Sequence, residues 1–179
     1  MTWDSALAFV LSVEGGTSAD KDDPGGLTYK GVTQARYDEY CVNTKRPKRV
    51  VTSLTDAEVR QFYRDCYWVP IQGDALPYAV ALVVFDAAVN QGVVYAKKLL
   101  QWGVGVKQDG VIGPVTRTAV LLSDPEELAQ SLLWARMWRY LAIARTWERQ
   151  GKANPYKYLF GWLNRLDQCR LAAKLGNSL

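Results

Sequence analysis

Apolar side chains recur at helical spacing along almost the whole of this chain, and helix-capping residues stand between the apolar segments. Thr55-Asp-Ala-Glu58 is a capping box, Pro77 suits the first turn of an apolar helix, and Asp124-Pro125 begins a long helix. Thr33 and Asn154-Pro155 stand where two further helices would begin. Strand-like alternation is scarce and no repeat is found. The sequence therefore predicts a mainly α fold with a small β or loop element near residues 17–32.

The residue types that are missing limit the chemistry. The chain has no histidine, and its three cysteines are widely spaced. This composition excludes Ser-His-Asp and Cys-His catalysis and the usual zinc sites, so we expect no cofactor and no metal. Reactions near neutral pH must then depend on carboxylates, hydroxyls, amines or backbone dipoles. Paired carboxylates are the usual acid and base of glycosidases.

Charge and length restrict the partners. With 179 residues, of which 49% are hydrophobic, the chain can bury a substantial core. Its net charge of +4 favours anionic partners such as nucleic acid, anionic lipid or bacterial cell wall, without choosing among them. The absence of a clustered basic helix disfavours nucleic acid. Neither a signal peptide nor a bilayer-spanning run is visible. We expect a monomer made in the cytoplasm, without membrane insertion, that reaches a cell wall only after release by another protein.

Glu14 is the strongest candidate for chemistry. It ends the first predicted helix, directly before Gly15-Gly16. The negative end of the helix dipole and the apolar neighbours Val10 and Val13 both disfavour the ionised carboxylate. A carboxyl group that keeps its proton in this way can act as a general acid. An acidic residue is also a poor choice for helix stability at this position, and local exceptions of this kind often mark function.

A glycine-rich loop with further carboxylates and hydroxyls follows Glu14. A reversal through the two glycines brings Asp23 or Thr28 opposite Glu14 across a cleft, where one of them orients or activates a water. Asp20 and Asp22 compete for the second carboxylate, and spacing does not separate the three aspartates. In a purely structural interpretation, Asp23 supports the Pro-Gly-Gly bend that follows it.

These residues resemble the glycoside hydrolase family 108 muramidases, which are lysozyme-superfamily enzymes found as phage endolysins and bacterial autolysin-like proteins. The first half carries the motifs Glu14-Gly-Gly16, Asp23-Pro-Gly-Gly-Leu-Thr28, Tyr29-Lys-Gly-Val-Thr33, Thr55-Asp-Ala-Glu58, Tyr63-Arg-Asp-Cys-Tyr-Trp68 and Phe85-Asp-Ala-Ala-Val-Asn-Gln-Gly92. The second half is similar to the peptidoglycan-binding region that accompanies this family, in Leu100-Gln101, Asp109 to Thr116, Arg136 to Tyr140 and Gly161 to Arg165.

The resemblance implies a lysozyme-like helical fold, with a catalytic region at residues 1–91 packed against a helical peptidoglycan-binding region at residues 92–179. It implies hydrolysis of the β-1,4 bond between N-acetylmuramic acid and N-acetylglucosamine in peptidoglycan. Glu14 matches the family's catalytic glutamate, and Glu14, Asp23 and Thr28 resemble the Glu/Asp/Thr triad of phage-type lysozymes. Two alternatives stay open: a lytic transglycosylase that uses the same glutamate, and a non-catalytic peptidoglycan-binding protein.

Aromatic residues are the first candidates for contact with the glycan, since flat rings pack well against sugars. Tyr29, Trp68 and Trp102 lie near predicted loops and are candidates for this contact. Trp134 and Trp138 follow helical spacing, so we expect them in the core.

Polar residues of the apolar helix after Pro77 form a second candidate group. Asn90 and Gln91, at its end, are placed to bind acetamido groups of the sugar. Asp86 stands among apolar residues and needs a partner if it is buried. We expect Asp86 to have a structural role, for example in a pair with an arginine.

Overall fold

The computed structural model describes residues 3–14, 27–152, 154 and 156–176. Within these ranges the chain forms eight α-helices and one two-stranded antiparallel hairpin, which confirms the mainly α prediction. The predicted loop element before residue 27 lies outside the described residues. The elements are α1 (Trp3–Val13), β1 (Thr28–Tyr29), β2 (Val32–Thr33), α2 (Gln34–Thr44), α3 (Asp56–Tyr63), α4 (Tyr78–Gln91), α5 (Val93–Gly103), α6 (Pro114–Leu122), α7 (Pro125–Arg149) and α8 (Leu159–Ala172).

Helix α4 is the centre of the fold. It packs against α1, α5, α7 and α8. Every residue from Val80 to Ala88 is buried, including Asp86. A helix that is apolar on all sides is stable only when other elements surround it. The regions on either side of residue 92 therefore share one core.

The helix starts follow the capping residues closely. The Thr33 and Thr55 side chains accept hydrogen bonds from backbone N–H groups in the first turns of α2 and α3, and Asp124 does so for α7. The last helix differs from the prediction, because α8 begins at Leu159 rather than beside Asn154. Asn154 has a φ of 52°, and this left-handed backbone cannot start a right-handed helix.

Trp68 belongs to the core, in a π-helical turn (Arg64–Trp68) after α3. Its ring centroid lies 5.1 Å from that of Trp3 and 5.4 Å from that of Phe85. Its Nε1 donates to Asp74 Oδ1 at 2.9 Å. Only 3% of Trp68 is exposed, so its burial gives no support to the predicted glycan contact, which stays a prediction.

Two tryptophans of α7 are exposed where the sequence predicted burial. Trp134 and Trp138 are 40% and 58% exposed, although their spacing predicted a place in the core. Spacing establishes only that the two residues share a face of the helix, and no described element covers that face.

No helix of the described residues is both long and apolar enough to cross a membrane.

Candidate active site around Glu14

Glu14 lies one residue beyond the end of α1, whereas the sequence predicted it as the last residue of that helix. Its backbone N–H donates to Val10 O at 3.0 Å and so continues the helical hydrogen bonding by one residue. Its side chain is 20% exposed. The carboxyl group is therefore held within the protein, with a small part of its surface open.

The β-hairpin packs its turn against Glu14. Lys30 and Gly31 have φ values of 48° and 76°, the pair of left-handed residues that a tight type I′ turn requires. A Cβ atom on Gly31 would lie 2.9 Å from Glu14 Cβ and 2.5 Å from Tyr63 Oη. Only glycine fits here, because both the backbone conformation and the space exclude a side chain.

Tyr63 forms the adjoining wall of the site. It is buried, and its Oη donates to Lys30 O at 3.0 Å, which ties α3 to the hairpin turn. Burial, and then the negative charge of Glu14, raise the pKa of Tyr63. Tyr63 therefore stays a neutral phenol beside the carboxyl group. Burial likewise raises the pKa of Tyr67, and Glu14 adds a smaller contribution.

Arg165 of α8 provides a cation at Glu14. Its Nη2 atom lies 2.6 Å from Glu14 Oε1 and 2.8 Å from Asp86 Oδ1, and its Nε donates to the same Asp86 oxygen at 2.9 Å. Burial alone would lower the pKa of Arg165, but the carboxylates of Asp86 and Glu14 raise it overall. Arg165 is thus a fixed positive charge that two carboxylates share.

Asp86 extends this contact into a buried network. Its second oxygen lies 2.6 Å from Arg136 Nη2, and neither side chain is exposed. Arg136 Nε donates to Gln91 Oε1 at 3.1 Å. Burial would lower the pKa of Arg136, but the neighbouring acidic groups, Asp86 foremost, together raise it overall. The predicted pairing of Asp86 with an arginine is confirmed, with two arginines in place of one.

The contact between Glu14 and Arg165 is close without being an aligned hydrogen bond. Among the described residues, neither Glu14 Oε1 nor Arg165 Nη2 has an aligned hydrogen-bond partner, although both atoms are buried. Buried polar atoms in folded proteins nearly always have such partners, and exceptions often occur at catalytic sites. Glu14 Oε1 therefore keeps hydrogen-bonding capacity that no described residue uses.

The structure brings only some of the predicted site residues together. Asp23, like Asp20 and Asp22, lies outside the described residues. Thr28 begins β1 and is paired in register with Thr33, while Tyr29 opposes Val32 and is partly exposed. The roles of Asp23 and Thr28 beside Glu14 therefore stay predictions.

Asn90 and Gln91 both contact α7. Asn90 Oδ1 accepts from Tyr140 Oη at 2.5 Å, and Gln91 Oε1 accepts from Arg136. Gln91 Nε2 is buried without an aligned partner in the part of the chain that the structure describes. Within the described ranges, Gln91 is joined to Glu14 through the ionic network of Arg136, Asp86 and Arg165, and a sugar contact at Asn90 or Gln91 stays a prediction.

The sequence interpretation gave Arg165 and Arg136 no role. Both lie in motifs that the resemblance covers, but nothing local shows which carboxylate each one meets. One signal was available. A buried Asp86 in an apolar helix requires a cation, and arginines within otherwise apolar helices are the natural source.

Comparison with known proteins identifies the family of this chain. Residues 7–92 match the family model "Glycosyl hydrolase 108", and residues 91–167 match the model "Predicted Peptidoglycan domain". Among solved structures, Brucella abortus SagA is 31% identical, with a TM-score of 0.75 over 96% of this chain and 93% of its own. The chain belongs to the glycosyl hydrolase 108 family. No match is found among curated proteins.

Membership in the glycosyl hydrolase 108 family makes the protein a glycoside hydrolase, and the two matched regions together support a lysozyme-like peptidoglycan hydrolase. Glu14, Gly31, Tyr63 and Asp86 lie in the region matched by the hydrolase model, while Arg165 lies in the region matched by the peptidoglycan model. The ion network around Glu14 therefore uses side chains from both regions. Among the described residues, no cluster of three or more metal-ligating side chains is found.

Proposed function

We propose that this glycosyl hydrolase 108 protein is a muramidase that cleaves the β-1,4 bond between N-acetylmuramic acid and N-acetylglucosamine, with Glu14 as the general acid. The observation that carries the proposal is the setting of Glu14. A partly buried carboxyl group stands at a helix end, against a glycine turn and a neutral phenol, in contact with one shared cation. It lies within the region that matches a glycoside hydrolase family.

In the proposed reaction, Glu14 gives its proton to the glycosidic oxygen as the bond from that oxygen to the anomeric carbon breaks. A water molecule attacks the anomeric carbon, and the proton that it loses restores the acid. Arg165 stabilises the carboxylate that remains after proton transfer. Because Asp86 already neutralises part of the Arg165 charge, the cation does not act on Glu14 alone.

The water requires a second group, and Asp23 and Thr28 are the proposed candidates. Asp23→Asn removes a charge and keeps the size of the side chain, while Thr28→Ala removes a hydroxyl group. We expect substitution of the residue that activates the water to reduce turnover by about 10²-fold or more, which is typical of the loss of a general base. Asp20→Asn and Asp22→Asn serve as matched comparisons within the same loop.

The decisive test concerns Glu14. Glu14→Gln keeps the size of the side chain but removes its acidic proton, so it should abolish release of soluble fragments from purified sacculi while folding and sacculus binding persist. Glu126→Gln, at an exposed position in the first turn of α7, is the matched control and should digest sacculi normally. Retained digestion by Glu14→Gln would falsify the proposed role.

Mass spectrometry of the released fragments separates the neighbouring reactions. Reducing N-acetylmuramic acid ends support a muramidase, and reducing N-acetylglucosamine ends would identify a different glycosidase. Fragments with 1,6-anhydro ends would identify a lytic transglycosylase. Sacculus binding with no fragment release at any pH would identify a non-catalytic binding protein.

A further inference from the structure

An open groove runs between α5 and α7, and none of its lining residues takes part in the ion network of Glu14. We call it the aromatic groove. Its volume is about 880 Å³, within the range of small-molecule sites. The lining residues used below are Tyr95, Lys98, Trp102, Trp134, Trp138 and Arg139.

Three tryptophans expose much of their surface in the aromatic groove. Trp102, at the end of α5, is 50% exposed, and Trp134 and Trp138 of α7 are 40% and 58% exposed. Trp134 and Trp138 are one helical turn apart, which places them about 6 Å from each other along the axis. Indole rings concentrated on one surface are costly to leave in water and mark a binding site.

The two helices that carry the tryptophans pack closely together. A Cβ atom on Gly103 would lie 2.6 Å from Leu132 Cδ2 and 2.9 Å from Leu128 Cδ1, so the end of α5 packs directly on buried leucines of α7. This close contact sets the spacing of the two helices next to the groove.

The charges of the groove are all positive. Lys98 and Arg139 have no ion pair with any residue that the structure describes, and Arg139 lies 4.1 Å from the centroid of the Tyr95 ring. No carboxylate is found among the described residues that line the groove. Asp109, next in sequence to the rim, accepts instead from Gln101 Nε2 and Val111 N. Flat aromatic faces with two uncompensated cations suit a ligand with apolar faces and negative charges.

We propose that the aromatic groove binds a glycan strand of peptidoglycan, apart from the site around Glu14. The inference rests on peptidoglycan being the substrate, as proposed above. The C–H faces of successive sugar rings pack on Trp134, Trp138 and Trp102, since the electron-rich ring face attracts them. Lys98 and Arg139 pair with free carboxylates of the peptide stems. All the lining residues lie within the region that matches the peptidoglycan model.

The test combines two measurements on the full chain. Binding is measured by cosedimentation with purified sacculi in the cold, and turnover is measured on short soluble glycan fragments that occupy the Glu14 site alone. For the double variant Trp134→Ala/Trp138→Ala we expect sacculus affinity to fall by about tenfold or more, which corresponds to about 1.4 kcal/mol. Turnover of the short fragments should stay within about twofold of the parent. Phe160→Ala removes an exposed aromatic of α8 outside the groove and should change neither quantity.

Two further measurements separate loss of binding from loss of folding and test the role of the charges. Circular dichroism confirms folding, and Trp138→Ala alone replaces the double variant if the latter is destabilised. Lys98→Ala/Arg139→Ala should weaken binding to sacculi and reduce its dependence on salt, while binding to chitin, which has no stem carboxylates, stays unchanged.

Unchanged sacculus affinity in the tryptophan variants would overturn the proposal. Two other results for the tryptophan variants would also overturn it. If they keep sacculus binding but lose binding to anionic vesicles, the groove binds lipid. If they keep sacculus binding but lose a dimer in sedimentation equilibrium, the groove binds a second copy of the chain. If no variant releases sugar but sacculus binding still depends on the tryptophans, the groove proposal stands and the proposed hydrolysis fails. The two proposals are thereby tested separately.

Discussion

At the scale of single residues, Gly31 sets how closely the hairpin approaches Glu14. Gly31→Ala introduces a Cβ atom 2.9 Å from Glu14 Cβ, at a backbone φ of 76°. We expect a loss of about 1–2 kcal/mol of stability from the strained backbone and a clear fall in sacculus digestion, because the carboxyl group must shift. Thermal melting and a turbidity assay measure the two effects.

Gly161→Ala is the matched control for Gly31→Ala. Gly161 lies inside α8, and apart from the helix's own nearby backbone no atom of the described residues lies within 4 Å of the position that an added methyl group would take. The alanine should stabilise the helix by about 0.5–1 kcal/mol, through its higher helix propensity. Equal effects of the two alanines would contradict the assigned role of Gly31.

Arg165 gives a second prediction at this scale, in which it acts as a positioning residue for Glu14. Arg165→Met removes the cation 2.6 Å from Glu14 Oε1, and we expect turnover to fall by at least about tenfold. Arg165→Lys keeps the positive charge and should restore part of the turnover. A loss of turnover that only follows a loss of stability in urea unfolding would indicate a purely structural role.

At the scale of elements, Gln101 organises the loop between α5 and α6. Its Nε2 donates to Asp109 Oδ1 at 2.7 Å and to Val111 O at 3.0 Å, and its Oε1 accepts from Gly110 N at 2.8 Å. Gln101→Ala removes all three of these hydrogen bonds, and we expect a loss of about 1–3 kcal/mol in urea unfolding. Gln61→Ala, which removes one exposed helix-surface contact, should cost less than about 0.5 kcal/mol. A similar cost for both variants would show that Gln101 is not the organising residue.

The same scale shows what the sequence could predict. Caps and helical spacing are local signals, so the helix starts at Thr33, Thr55 and Asp124 were predictable. Whether a helix face is covered depends on elements distant in sequence. The burial of Trp68 and the exposure of Trp138 therefore could not be predicted from local signals. Glu14 could be selected as a candidate because its acidic character conflicts with its helix end, which is a local property.

At the scale of the whole molecule, the Asp86 network joins the two matched regions. Asp86 stands in the central helix α4, and its two cations come from α7 and α8. A buried ion pair adds little stability compared with well-packed apolar residues, but it is costly to break on one side. The network therefore specifies how the second region packs on the first, and it places Arg165 at Glu14 as part of the same arrangement.

Stability and activity should separate when this network is removed in steps. Arg136→Met leaves Asp86 with one of its two cations, and we expect a loss of about 3–5 kcal/mol. The double variant Asp86→Leu/Arg136→Met removes the two fully buried charges and should recover part of that stability in urea unfolding. It should not recover activity, because Arg165 loses Asp86 and, among the described residues, has Glu14 as its only carboxylate partner. If the double variant is as unstable as Arg136→Met, then Arg136 does not offset the cost of burying Asp86. If the double variant digests sacculi like the parent, then Asp86 does not moderate the effect of Arg165 on Glu14.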